Sequence, residues 1–177
     1  LVLLDSAGWS SDRLFRLLVD EMNDVGNAQG ANGPTPAQAP PYEEFKHLAS
    51  LLRQMGLAGL YTEAVYNDQA VLVFEPQALE HPQYHEFTGA LGLNPKKLLF
   101  PLVVAAGRSA NNSINLRFRS LAGVMYFLSQ SVKVPEEDIA AGRVTVTRDA
   151  AGQPFDWQQV TEGILTIKSS ADAPDNA

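Results

Sequence analysis

The order in which helical and strand periods follow one another limits this chain more than any other feature. Ser10 or Ser11 can cap a first helix, with Asp12 in its opening turn. Leu14, Leu18, Met22 and Val25 continue it on one face, with Phe15 and Leu17 beside them, up to Gly26-Asn27. "PYEEFKHLASLLRQMGL" predicts a second helix, with Phe45, Leu48, Leu52 and Met55 turned inward. "GLYTEAVYNDQAVLVFEP" reads as a hairpin about Asn67-Asp68, and "EHPQYHEFTGALGLNP" as a short helix with Pro82 in its first turn. Two strand arms follow, "KKLLFPLVVAAG" and "SINLRFRS", joined by the polar turn "RSANN". The regular βαβ alternation that a parallel sheet needs is missing. The expected class is α+β: an antiparallel sheet built from hairpins and covered by helices on one face.

After the second arm comes "RSLAGVMYFLSQSVKVPEED". Leu121, Val124, Met125 and Leu128 share a helical stripe, and Tyr126 and Phe127 make the segment apolar almost all round. A helix of that kind is expected to be buried on most sides, as a structural element. "GRVTVTRDAAGQPFDWQQVTEGILTIKSS" then suggests two more strands around a Gly-Gln-Pro turn.

The stretch "NAQGANGPTPAQAPP" divides the chain, because it has no charge and almost nothing that could bury surface. The expected organisation is therefore an N-terminal helical segment over 1–26, a flexible linker over 27–41 and an α+β core over 42–170. A polar, frayed tail follows over 171–177.

Composition excludes several function classes. A net charge of −7 disfavours sequence-unspecific nucleic-acid binding. The longest apolar run, "LLFPLVVAAG", is too short to span a bilayer and contains Pro101. Without cysteine there is no disulfide, thiolate metal site or thiol nucleophile.

Few residues carry recognisable chemistry. His81 and His85 stand four apart in "EHPQYHEF", a helical spacing that could present two imidazoles to a metal in a hydrolase. Pro82 places His81 at the cap, however, and no Glu follows it as a zincin base would. His47 has no neighbouring carboxylate in sequence. "AGWSSD" lacks the second glycine of a nucleophile elbow, and the chain has no phosphate-binding glycine loop. Glu43-Glu44 and Glu136-Glu137 fall where helices start, and the helix dipole accounts for them. Asp156, between Phe155 and Trp157, reads as a turn residue. Tyr61, Tyr66 and Trp157 could line a small-ligand pocket. No catalytic residue, metal or cofactor is expected.

Two blocks, "GWSSDRLFRLLVDEMNDVGN" and "RSLAGVMYFLSQSVKVPEEDIAAGRVTVTRDAAGQPFDW", resemble an uncharacterised family of bacterial hypothetical proteins. Members of that family look like lipoproteins or other cell-envelope proteins. The resemblance implies a periplasmic setting, an anchor upstream of Leu1 and further sequence beyond Ala177. It implies no catalytic residues.

Charge is segregated along the chain. From Phe87 to Pro135 there is no Asp or Glu, and the segment carries +6 against −13 for the remainder. Lys96, Lys97, Arg108, Arg117 and Arg119 are candidate partner contacts within it. Strand alternation puts Arg117 and Arg119 about 7 Å apart on the face opposite Ile114, Leu116 and Phe118. An open face there would grip an acidic partner. The expected function is thus a non-catalytic envelope domain acting in assembly or protein binding, by a protein partner or self-association. The alternatives are a metal-dependent hydrolase using His81 and His85, and a small-ligand-binding domain.

Overall fold

The computed structural model describes residues 10–108, 112–165 and 167–168. The N-terminal apolar run and the tail at 171–177 lie outside the described residues. The described chain forms two compact units. One comprises the residues up to Asn27 together with Tyr42–Phe118, and the other Ala28–Pro41 together with those from Arg119 onward. The expected single core over 42–170 is therefore divided after Phe118.

The first unit carries the α+β sheet. Helix α1 (Ser11–Leu18) buries Leu14 and Phe15 but stops about two turns earlier than its apolar spacing suggests. Val19–Met22 instead forms strand β1, which turns at Asn23 and returns as β2 (Val25–Gly26). The four-residue step from Leu18 to Met22 fits either a helix or a strand. Pairing of β1 with a distant strand, in the register Met22↔Leu116, decides for the strand.

Helix α2 (Glu43–Leu57) follows the sequence reading closely: Glu43 and Glu44 occupy its first turn, and Phe45, Leu48, Leu52 and Met55 are all buried. Strands β3 (Tyr61–Tyr66) and β4 (Gln69–Phe74) form the expected hairpin. Its turn residues Asn67 and Asp68 have φ of 50° and 61°, the left-handed values that suit a tight hairpin and that Asn and Asp tolerate best. A 3₁₀ turn (Pro76–Glu80) leads to α3 (Pro82–Ala90), with Pro82 in its opening turn. Strands β5 (Leu99–Val104) and β6 (Ile114–Phe118) complete a six-stranded sheet in the order β2-β1-β6-β5-β4-β3.

The sheet is mostly antiparallel, but the two arms joined through "RSANN" are not a hairpin. β5 and β6 run parallel, with Leu102↔Ile114 and Val104↔Leu116 in register. The loop that reverses the chain is held by hydrogen bonds which local turn composition does not reveal. Gly107, at φ +74°, donates its N–H to Glu21 Oε1 at 2.6 Å and accepts from Asn115 Nδ2 at 2.9 Å.

Register places Met22, Leu72, Phe100, Leu102, Ile114 and Leu116 on one sheet face. The buried faces of α2 and α3 close the same core, where Phe74 meets Tyr84 and Phe100 at ring separations of 5.0 and 5.8 Å. Each such side chain, fully removed from water, contributes about 1.5–3 kcal/mol, so this cluster is the main source of the unit's stability. Asn23, at φ 51°, ties the turn after β1 into the unit. Its Nδ2 donates to Leu91 O at 2.6 Å, and its Oδ1 accepts from Asn115 N at 2.8 Å.

The second unit is built differently. Most of the presumed linker is part of it: Gln29–Asn32 forms a 3₁₀ turn, and Ala28 and Ala31 are fully buried. Gln38 bridges to Arg148, and Thr147 Oγ1 donates to Pro36 O at 2.7 Å. Alanine methyl groups and backbone hydrogen bonds do what large side chains do elsewhere, which a composition-based reading misses. Helix α4 (Leu121–Ser129) packs on the 3₁₀ turn. β7 (Val132–Lys133), α5 (Glu136–Ala140), α6 (Gln158–Thr161) and β8 (Ile167–Lys168) follow, with β7 and β8 parallel. Of the two strands expected around the Gly-Gln-Pro turn, the first is not formed, and the second appears as β8, which pairs with β7 instead of closing a hairpin. An Arg148↔Pro154 bridge closes a loop there, in which Asp149 Oδ1 accepts from the N–H groups of Ala151 and Gln153.

Candidate functional site

Helix α4 begins as its sequence dictates. Ser120 is extended, and its Oγ accepts from Gly123 N at 3.0 Å, satisfying one of the free donors of the first turn. The orientation of the helix is the unexpected part. Gly123 and Phe127 face inward, and Phe127 is wholly buried. The stripe of large apolar side chains points the other way: Leu121 is 80% exposed, Met125 65% and Tyr126 43%. Val124 and Leu128 are only half-buried. The expectation of a helix buried on most sides is thus overturned. Spacing identifies an apolar stripe but cannot say whether anything in the same chain meets it.

The inward side is fixed by Arg119. Its guanidinium lies 4.2 Å from the centre of the Phe127 ring, and its Nε donates to Asn32 Oδ1 at 2.8 Å. A cation held against an aromatic face in a largely desolvated place is favourable by about 1–2 kcal/mol. This pins the helix with its stripe outward.

The basic residues do not form the expected shared open face. Arg119 is buried beyond the end of β6, in the second unit. Arg117 belongs to the first unit, where its Nε and Nη2 pair with Asp20 Oδ2 and Glu21 Oε2, each at 3.0 Å. Both carboxylates are mostly buried and come from β1, so Arg117 serves as their counter-charge. Arg108 pairs with Asp24 at 3.0 Å, and Lys96 and Lys97 are exposed between α3 and β5. Phe118, expected inward, is 42% exposed, because the β1–β6 register breaks beside it.

The histidines also separate. His81 is the residue before α3, while His85 Nε2 faces Leu79 O at 2.8 Å and His47 Nε2 faces Glu86 Oε1 at 2.7 Å. Among the described residues no group of three or more His, Asp or Glu side chains is placed to hold a metal. Tyr61 packs on Phe74 with ring centres 5.4 Å apart, and Tyr66 is exposed beside the hairpin turn. Trp157 lies in the second unit, buried, and its Nε1 donates to Thr147 Oγ1 at 2.9 Å. Asp156 fulfils the turn role read from sequence, with Oδ1 accepting from Gln158 N at 2.9 Å.

Trp157 also lines a cleft of about 340 Å³, made entirely of residues from the second unit. Of the three residues expected to line a pocket, only Trp157 does so; the other walls come from short, irregular segments without a common period, which no sequence signal marked.

No protein-family model, curated protein or solved structure matches the chain. Among the described residues no helix is long and apolar enough to cross a membrane.

Proposed function

We propose that this protein is a non-catalytic binding domain that docks helix α4 into an apolar groove of a partner protein. The observation that carries the reading is the outward stripe of Leu121, Met125 and Tyr126, opposite a firmly buried Phe127. Leu121 and Met125 stand at i and i+4, and the half-buried Val124 and Leu128 stand at i+3 and i+7, the spacing by which helices anchor in grooves. No residue from Ser120 to Val132 is charged, so burial of the whole helix strands no ion.

Size favours a groove over a second copy. Nine residues make a helix about 14 Å long and 10 Å wide, a footprint on the order of 150 Å². A stable complex covers about 800 Å² on each partner, which two convex helices of this length meeting face to face do not approach. A concave partner enclosing the helix on three sides covers far more. The envelope setting implied by the resemblance is part of the same proposal.

The test places a photo-crosslinking residue at position 125, with Glu137 as the control position, in cells expressing the full chain. The partner so captured is purified, and its affinity is measured against wild type and Leu121→Asp/Met125→Asp. Loss of binding by a variant with unchanged melting supports the proposal. Undiminished binding, or a crosslinked species that is a second copy of the chain, overturns it.

A further inference from the structure

The cleft of the second unit is a separate matter from the α4 stripe. Val132, Val134, Ile139, Val144, Val146 and Phe155 all line it, and all six are half-buried. Aliphatic side chains that converge without closing leave an apolar concavity, and its 340 Å³ lies within the range of small-molecule sites. The aromatic wall is ordered: Phe155 and Trp157 meet edge to face at 5.3 Å and 88°, and the indole N–H is held by Thr147.

A polar group in this lining is unused. Gln158 contributes to the cleft, and its Nε2 is buried without a hydrogen-bond partner among the described residues. A buried amide left unpaired costs about 1–3 kcal/mol, which a ligand carbonyl would recover. The same lining holds Glu136 and Asp156 against Lys133 alone, so acidic groups outnumber basic ones. A negatively charged ligand is disfavoured.

The geometry points to a binding site for an uncharged, flat, fused-ring molecule that carries a carbonyl. Its ring would lie among the valines and against Phe155 and Trp157, and its carbonyl would accept from Gln158 Nε2. The site uses none of the outward side chains Leu121, Met125 and Tyr126 of α4.

The test uses quinolin-2-one, a neutral bicyclic lactam, and its 4-carboxylate, with the full chain. Methyl resonances of Val132 and Ile139 and the indole N–H of Trp157 are followed by NMR. The lactam is expected to bind in the millimolar range for a ligand of its size, with shifts confined to cleft residues. Gln158→Leu is expected to weaken it about fivefold to tenfold, the worth of one hydrogen bond. The carboxylate is expected to bind less tightly than the lactam. Ile139→Trp, which fills the cleft, is expected to abolish binding, and it decides the matter alone if Gln158→Leu fails to fold. Absence of saturable shifts, full binding by Ile139→Trp or by a folded Gln158→Leu, or tighter binding of the carboxylate overturns the assignment.

Discussion

Two truncations in the same helix are expected to behave in opposite ways. Phe127 is wholly buried beneath the Arg119 guanidinium, so Phe127→Ala removes a full ring from a packed site. Such changes cost about 3–5 kcal/mol, enough to unfold the second unit or leave it marginal. Leu121 has about a fifth of its surface buried. Complete burial of a leucine is worth about 1.5–3 kcal/mol, so Leu121→Ala forfeits only about 0.3–0.6 kcal/mol. Met125→Ala belongs with Leu121→Ala. The assay is urea unfolding followed by Trp157 emission in a Trp9→Phe background, which isolates the second unit's own indole. Equal, large losses for Leu121→Ala and Phe127→Ala would refute the reasoning, because the stripe would then be core. A negligible loss for Phe127→Ala would refute it equally.

Other outcomes follow from the same geometry. Asn23→Ala leaves Leu91 O and Asn115 N without their partner and is expected to cost about 2–4 kcal/mol in the first unit, measured by urea midpoint. Arg117→Gln is expected to cost about 1–2 kcal/mol, since Asp20 and Glu21 are mostly buried while the arginine itself is partly solvated. An unchanged midpoint would show that the carboxylates do not depend on it. In the segment 28–41, the amides of Ala31 and Ala39 are hydrogen-bonded and are expected to exchange slowly with solvent; exchange at free-peptide rates would restore the linker reading. Burial raises the Tyr84 phenol above its ordinary value of 10.0. Its contribution to stability is therefore full below the unfolded pKa and is lost as pH rises through the higher folded pKa. Tyr84→Phe is expected to flatten the alkaline decline in stability, and an identical decline in both proteins would contradict that.

How much of this was legible in the sequence depended on whether local signals faced competition. α2 and the Asn67-Asp68 hairpin were readable, because period, caps and turn residues all agree there. At Leu18–Met22 two periods fit the same residues, and a partner almost a hundred residues away chose between them. The parallel pairing of β5 and β6 depends on Glu21 and Asn115 gripping Gly107, contacts that no local pattern shows. In the segment 27–41, two buried alanines and a few backbone bonds replace a hydrophobic stripe, so the composition of a linker conceals a packed element. For α4 the extent and cap were readable, and the burial was inverted. The proposed docking face is therefore legible only as a conflict between an apolar stripe and its position in space. The cleft was legible only in Trp157, because the expected companions Tyr61 and Tyr66 belong to the other unit.

Methionine reports directly on the outward face of α4. The chain has three methionines, of which Met22 and Met55 are fully buried and Met125 is exposed. In a spectrum of protein labelled at the methionine methyl groups, a soluble paramagnetic agent should broaden Met125 alone. Addition of the partner captured at position 125 should shift Met125 and shield it from the agent, with Met22 and Met55 unmoved. A Met125 methyl already shielded in the free chain, or one left unshifted and unshielded by saturating partner, would contradict the account.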